Sequence, residues 1–324
     1  MPMVRGLEAP GFTIRGRLAN EHKEPPDDSV SECTSPKACP TMFQSFTLLS
    51  FSHGLGYRGV LPGPSHYEPQ HGPDSPVLHR GIRLRSALPI RVPVLWRMYL
   101  KARDALWIPT DINLDKDKHE WVTSMSKCEQ WIVTRALGFF ATADGLLADN
   151  LTARFTQEVE NTEAKYFYGL QVVVENIHAE TFALIIDALL PDKEKKDLLS
   201  WSTMVPSIAF KNIWAVKWIF DYSSSFSERL VALVCVEGIF FASCFAMLAW
   251  IKSNGKMPGL SLARDLISRD ENAHIDFACA LFRRILPLPA ASIVFDIVRE
   301  AVDVETEFAL GKSFTLSSRL LTVY

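Results

Sequence analysis

Residues 230–251 read LVALVCVEGIFFASCFAMLAWI, an apolar run interrupted by one charge, Glu237, near its middle. No other stretch constrains the fold as strongly. Its length alone would let it cross a bilayer. A carboxylate at the centre of such a span costs roughly 2.5–3.5 kcal/mol, however, and no second run of that kind stands out. The better solution is a helix apolar on every side at the heart of a soluble helical bundle. Glu237 is then a buried carboxylate that must find a partner.

The sequence from about residue 92 onward has the matching texture. VPVLWRMYLKARDALW carries apolar residues at helical spacing before Pro109 and an Asp-rich turn break it. Helices are expected over 118–148, over 152–190 up to Pro191, and at about 194–222, 226–253, 260–284 and 290–310. No alternating β-branched run lasts long enough for a strand. The expected class is all-α, with helices longer than the globular average. Residues 1–80 differ: they hold 11 of the 19 prolines, 8 of the 16 glycines and five of the eight histidines (His22, His53, His66, His71 and His79). Stretches such as LPGPSHYEPQHGPDSP have no period, so this segment is expected to be a disordered or atypical extension preceding a domain at 81–324. The net charge of −3 offers no basic footprint for nucleic acid. None of the six cysteines (Cys33, Cys39, Cys128, Cys235, Cys244 and Cys279) forms a CxxC pair, and no signal peptide is evident. Reduced, buried thiols in a cytoplasmic protein are the expectation, with no membrane partner.

Beyond residue 80 three histidines remain, His119, His178 and His274, and two of them share one pattern: Glu175-Asn-Ile-His178 and Glu271-Asn-Ala-His274. Positions three apart lie on one face of a helix, so each pair aims a carboxylate and an imidazole in one direction from an apolar helix. Asp144 lies 31 residues before Glu175, and Glu237 lies 34 before Glu271. Each half therefore reads acid, then about one helix later Glu-x-x-His, which is the ligand pattern of ferritin-like di-metal bundles. Four carboxylates and two imidazoles suit two iron or manganese ions and offset roughly four positive charges. The alternative is a bundle with ordinary buried salt bridges. It would need lysine or arginine opposite these acids, and the 230–251 helix has none.

The segments ARFTQEVENTEAKYFYGLQVVVENIHAETF, VEGIFFASCFAMLAWIKSNGKMPGL and LISRDENAHIDFACALF resemble the small, radical-generating subunit of class I ribonucleotide reductase, particularly its eukaryotic form, from about residue 85 to about 309. The resemblance implies Asp144, Glu175 and His178 on one metal and Glu237, Glu271 and His274 on the other, with two Fe ions or a Mn/Fe pair as cofactor. It implies that Phe241 and Phe245 line the apolar pocket around the cofactor; on sequence alone they are core residues. It implies that Trp107 and Asp270 belong to a proton-coupled electron path from the surface to His178. Without it, Trp107 would anchor a helix end and Asp270 would be a hydrogen-bond acceptor fixing a ligand histidine.

Two features depart from that family. Most members carry a tyrosine one turn after the histidine, storing the oxidising equivalent as a neutral radical; here the position is Phe182, which has no proton to give. One branch with phenylalanine keeps the oxidant on a manganese–iron pair, but usually has glutamate where this chain has Asp144. Tyr166 and Tyr168 lie earlier on the same helix, and Tyr168 belongs to the family's ordinary pattern. The family also continues past EAVDVETEF with core helices and a tail that docks on the large subunit. Here the sequence stops after GKSFTLSSRLLTVY, in which only SFTL resembles that tail, so the domain is expected to be C-terminally truncated. The function implied is the small subunit of ribonucleoside-diphosphate reductase, partnered by a large subunit and by a second small subunit in a homodimer or heterodimer. The alternatives are a non-catalytic paralogue that assembles with an active small subunit, and a stand-alone di-metal oxidase of the same fold.

Overall fold

The computed structural model describes residues 86–310, Tyr222 excepted. The expected extension over 1–80, with Cys33 and Cys39, and the SFTL fragment lie outside the described residues. Ten helices carry the described chain: α1 Pro93–Asp104, α2 Asp115–Thr123, α3 Lys127–Asn150, α4 Thr162–Leu189, α5 Asp192–Met204, α6 Pro206–Phe220, α7 Phe226–Cys235, α8 Ala242–Ser253, α9 Pro258–Phe282 and α10 Ala291–Leu310. A short 3-10 turn at Pro109–Asp111 links α1 to α2. No strand occurs among the described residues.

The helices are shorter and more numerous than the periodicity predicts, because local caps cut the longer stretches. Ser126 and Glu129 close a capping box, Ser126 N–H donating to Glu129 Oε2 at 2.8 Å, and so end the expected 118–148 helix early and restart it. Asn161 Oδ1 accepts from Ala164 N–H at 2.8 Å and starts α4 inside the expected 152–190 run. Pro206 at the first turn of α6 divides 194–222. The 226–253 run is interrupted by a π segment, Val236–Phe240, which contains Glu237. A second π segment, Leu151–Phe155, extends α3 toward a final turn at Thr156–Glu158.

α4 packs against α3 and α1, α9 against α8 and the π segment, and α10 against α6 and α7. Two stretches, Lys127–Glu158 and Phe226–Ser253, are long and apolar enough to cross a membrane by composition, where the sequence pattern points to one; both are about two-thirds buried inside the bundle. The start of α9 is clamped by α2: buried Asp117 accepts from Gly259 N–H and Leu260 N–H at 2.9 and 2.8 Å, and Glu120 accepts from Met257 N–H at 2.6 Å. A Cβ on Gly259 would run into the Asn113 carbonyl, so only glycine lets α2 and α9 approach this closely. Cys235 and Cys244 are buried, and burial pushes both thiols up to about 12. Cys128 and Cys279 are only half-buried, where buried thiols are expected, and none of these four forms a disulfide among the described residues.

Candidate metal centre

Four elements converge on one point. α3 brings Asp144, α4 brings Glu175 and His178, the π segment brings Glu237, and α9 brings Glu271 and His274; all six side chains are buried. Glu175 and Glu271 each face both imidazoles. His178 Nδ1 lies 3.6 Å from Glu175 Oε2 and 3.0 Å from Glu271 Oε1, while His274 Nδ1 lies 3.2 Å from Glu175 Oε1 and 3.7 Å from Glu271 Oε2. One ligand atom from each of Glu175, Glu237, Glu271 and His274 fits within 4.8 Å of the others. Asp144 and His178 fall outside that tightest group. His178 meets Glu175 and Glu271 at the distances above, and the charges of Glu175, His178 and Glu271 all act on buried Asp144, which lies beside them.

These contacts are close but off the line of hydrogen bonds. Both oxygens of Asp144, Glu175 and Glu271, one oxygen of Glu237, and Nδ1 of both histidines are buried without a hydrogen-bond partner. Leaving buried polar atoms unsatisfied costs about 1–3 kcal/mol each, more for charged groups. The two imidazoles and Gln171 compensate the set only in part, and the donor types fit an oxygen-rich di-metal group.

The electrostatics reflect burial and crowding. Burial, then the Glu175 charge, drives Asp144 well above the carboxylate range; burial also raises Glu237 well above it. Burial would raise Glu175 too, but His178 and His274 outweigh it and hold the group at about 2. Burial would lower the imidazoles, but the facing carboxylates raise His274 to about 10 and His178 well above its ordinary value.

The candidate path residues meet as well. Trp107 Nε1–H donates to Asp270 Oδ2 at 2.7 Å, and that oxygen lies 3.4 Å from His178 Nε2, with the Trp107 and His178 rings stacked at 6.1 Å. Burial would raise Asp270, but His178, Trp107 and Arg269 together pull it below the usual range. Phe182 lies flat on Phe140, centroids 4.2 Å apart and 5° between planes, and Phe140 also meets Phe241 and Phe245 at 5.5 and 5.6 Å. Position 182 thus stacks on one phenyl ring, Phe140, which in turn touches two others. Tyr166 is exposed in an aromatic group with Trp96 and Tyr99, whereas Tyr168 is buried with no partner for its hydroxyl.

Sequence reasoning missed two polar neighbours. Gln171 Nε2 donates to Glu237 Oε1 at 2.7 Å, and Arg269 donates to Asp270 Oδ1 at 3.0 and 2.8 Å. Gln171 was within reach: it lies one turn before Glu175 on the same face of α4.

An all-α ferritin-like bundle with a buried carboxylate–histidine cluster able to hold metal is the class that this fold and site define. Residues 85–321 match the family described as ribonucleotide reductase, small chain, and the chain belongs to that family. It is 41% identical over 238 residues to ribonucleoside-diphosphate reductase small chain 1 of Saccharomyces cerevisiae, covering 73% of this chain and 60% of that one. It is also 41% identical over 236 residues to subunit M2 of the Homo sapiens enzyme, covering 72% and 60%. Among solved structures, the Rnr4 homodimer from Saccharomyces cerevisiae matches with a TM-score of 0.67 and 30% identity, covering 72% of this chain and 74% of that one. The chain therefore spans about 60% of the length of these curated relatives.

Proposed function

We propose that the chain is the oxidant-generating small subunit of a ribonucleoside-diphosphate reductase, acting with a large subunit that reduces the nucleotide. The observation that carries this reading is the set of buried, unpaired carboxylate and imidazole atoms contributed by four elements. Asp144, Glu175 and His178 would hold one ion and Glu237, Glu271 and His274 the other, either two irons or a manganese–iron pair. When bound, these ions supply reaction with dioxygen and storage of an oxidising equivalent.

The chain's own residues do the rest. Asp270 faces His178 Nε2 and so favours the tautomer whose Nδ1 lone pair points into the cluster. Arg269 keeps Asp270 ionised, and Asp270 holds the Trp107 indole proton at Oδ2. This gives a hydrogen-bonded route between His178 and Trp107 along which an electron and a proton can move together. Phe140, packed against Phe182, Phe241 and Phe245, forms with them an apolar group that would keep water from the side of the cluster next to position 182. Phe182 can release no phenolic proton, which favours storage of the oxidant on the ions or its supply by a partner small subunit. The outer face of α4 exposes Tyr166, Val173 and Leu184, next to Trp96 and Tyr99 of α1, and is the surface where a second small subunit would pair.

The test is metal content and EPR of the purified chain loaded with iron alone or with iron and manganese, before and after oxygen. About two metals per chain, a coupled two-metal signal and no tyrosyl signal are expected. A tyrosyl signal with iron alone would overturn the reading of Phe182. No bound metal would leave the non-catalytic paralogue as the better account.

A further inference from the structure

The π segment that carries Glu237 is flanked by a buried ion pair to which the proposed metal chemistry assigns no role. Lys211 of α6 is fully buried, and its Nζ lies 2.5 Å from Glu305 Oε2 of α10. Both partners also bond the backbone at the joint between the π segment and α8. Lys211 Nζ donates to the Phe240 carbonyl at 2.6 Å, and Glu305 Oε1 accepts from Ser243 N–H at 2.9 Å. At such a joint the regular ladder is interrupted, because a π turn carries one extra residue and the helix after it begins with amides lacking partners in their own ladder. Beside the joint, a cavity of about 20 Å³ is bordered by Lys211, Val236 and Phe240, along with Phe139 and Ala143 of α3. Packing on that side of the joint is therefore incomplete.

Stability alone does not explain the pair. Two buried charges cost desolvation, and replacing such a pair with apolar side chains of similar size is often neutral or stabilising. We propose that Lys211 and Glu305 are positioning residues: together they hold Val236–Phe240 in its π conformation and so aim Glu237 into the carboxylate–histidine cluster. Relaxing the turn to regular α-helix would shift Glu237 by about one residue of register, roughly 100° around the helix axis. Glu237 would then leave the cluster and its bond to Gln171. The aim of Glu237 at a metal rests on the di-metal reading above; the conformation of the turn does not.

The test uses the double variant Lys211→Met/Glu305→Leu, which removes both charges at similar volume, because either single change strands a buried charge and risks unfolding. The double variant should keep its helical circular dichroism and melt cooperatively. Its crystal structure should show residues 236–240 in regular α-helix, and titration with Co(II) should fall from two ions per chain to one, or show one site weakened tenfold or more. Lys211→Met/Glu305→Gln restores an acceptor for Ser243 N–H and should recover part of the second cobalt site. An unchanged π segment with two unchanged cobalt sites in the double variant would overturn the proposal. A wild-type chain that takes up no cobalt would instead sink the di-metal reading. In that case the crystal structure of the double variant decides: a relaxed turn supports the positioning role and a retained π turn refutes it.

Discussion

Two groups of buried acids occupy one bundle on opposite terms. Outside the candidate centre, each buried acid has its own donors. Asp117 takes two amide protons at the start of α9, Glu163 takes those of Arg91 and Val92 ahead of α1, Glu129 pairs with Lys256, and Glu305 pairs with Lys211. Inside the centre, Asp144, Glu175, Glu237 and Glu271 have no lysine or arginine paired with them among the described residues, and the facing cations are the two imidazoles. A buried carboxylate unanswered by hydrogen bond or charge is destabilising. Elsewhere each buried acid has at least one amide or cationic side chain on it, although Glu163 Oε2 and Glu305 Oε2 also lack a hydrogen bond. In the centre Glu237 alone has a hydrogen-bond donor, Gln171. That contrast, more than the acidity itself, supports the proposal that the second group is a ligand set.

The contrast breaks most visibly by removing one acid from each group in the metal-free protein. Glu305→Ala strands the Lys211 ammonium and should cost about 3–5 kcal/mol, lowering the melting midpoint by roughly 10 °C in a domain of this size. Asp144→Asn removes a carboxylate already crowded by Glu175 and Glu271, and should leave metal-free stability within about 1 kcal/mol of wild type or raise it. Urea melts of both variants check this. A loss for Asp144→Asn as large as that for Glu305→Ala would mean that the centre is an ordinary structural network.

The pH dependence of the metal-free chain sharpens the same comparison. His274 is raised from 6.5 to about 10, so its contribution to stability is complete below 6.5 and is lost as pH climbs toward 10. Asp144 and Glu237, also raised, lose their contributions in the same direction. Glu175 is held at about 2, so its contribution is present above 4.5 and disappears as pH falls toward 2. The metal-free protein should melt highest near pH 4.5, where the Glu175 contribution is complete and the losses from Asp144 and Glu237 are only beginning, with midpoints falling on the alkaline side. Metal uptake must displace the imidazole protons, so cobalt should bind more tightly as pH rises over the range in which the metal-free fold weakens. Midpoints flat from pH 6.5 to 9 would show that the imidazoles are not charged in the metal-free state.

The parts of this arrangement that could be read in the sequence are those carried by short spacing. Glu175 with His178, and Glu271 with His274, share a helical face wherever their helices go, and an isolated Glu237 in an apolar run must be buried in any soluble fold. The SKCE box at Ser126–Glu129 was also local, and a closer reading of caps would have split the 118–148 helix. The π segment was not legible in that way. Nothing in VEGIF specifies an extra residue per turn, and the groups that bond the joint at its C-terminal end, Lys211 and Glu305, lie on helices 29 and 62 residues from the atoms they bond. Arg269 on Asp270 was hidden for a different reason, since neighbours in sequence do not ordinarily share a helix face.

A mid-sized effect tests the clamp that satisfies one of the ordinary acids. Gly259→Ala places a Cβ against the Asn113 carbonyl and 3.0 Å from both Asp117 Oδ2 and Leu114 Cδ2. Because the obstacle is backbone, the start of α9 must move, at a cost of about 1–3 kcal/mol. Thermal melts should show the loss while cobalt stoichiometry holds, since Glu271 and His274 lie about three turns or more further along α9. A loss of cobalt binding equal to the loss of stability would mean that the clamp and the centre are a single unit.

The smallest change in stability, within about 1 kcal/mol, is expected for Asp270→Asn, and it separates the two halves of the centre from each other. His178 has a carboxylate at its outer nitrogen, whereas the ring of His274 meets Phe167 edge-on at 6.2 Å. An asparagine at 270 keeps one acceptor but must turn an amide donor either toward Arg269 or toward Trp107 and His178. Facing a donor, His178 gains by carrying its proton on Nδ1, the atom that would otherwise bind metal. One cobalt site should therefore weaken about 10- to 100-fold, the usual effect of losing such a support, while the site built on His274 keeps its affinity. Two sites weakened equally would show that Asp270 acts on the cluster as a whole and not through the tautomer of one histidine.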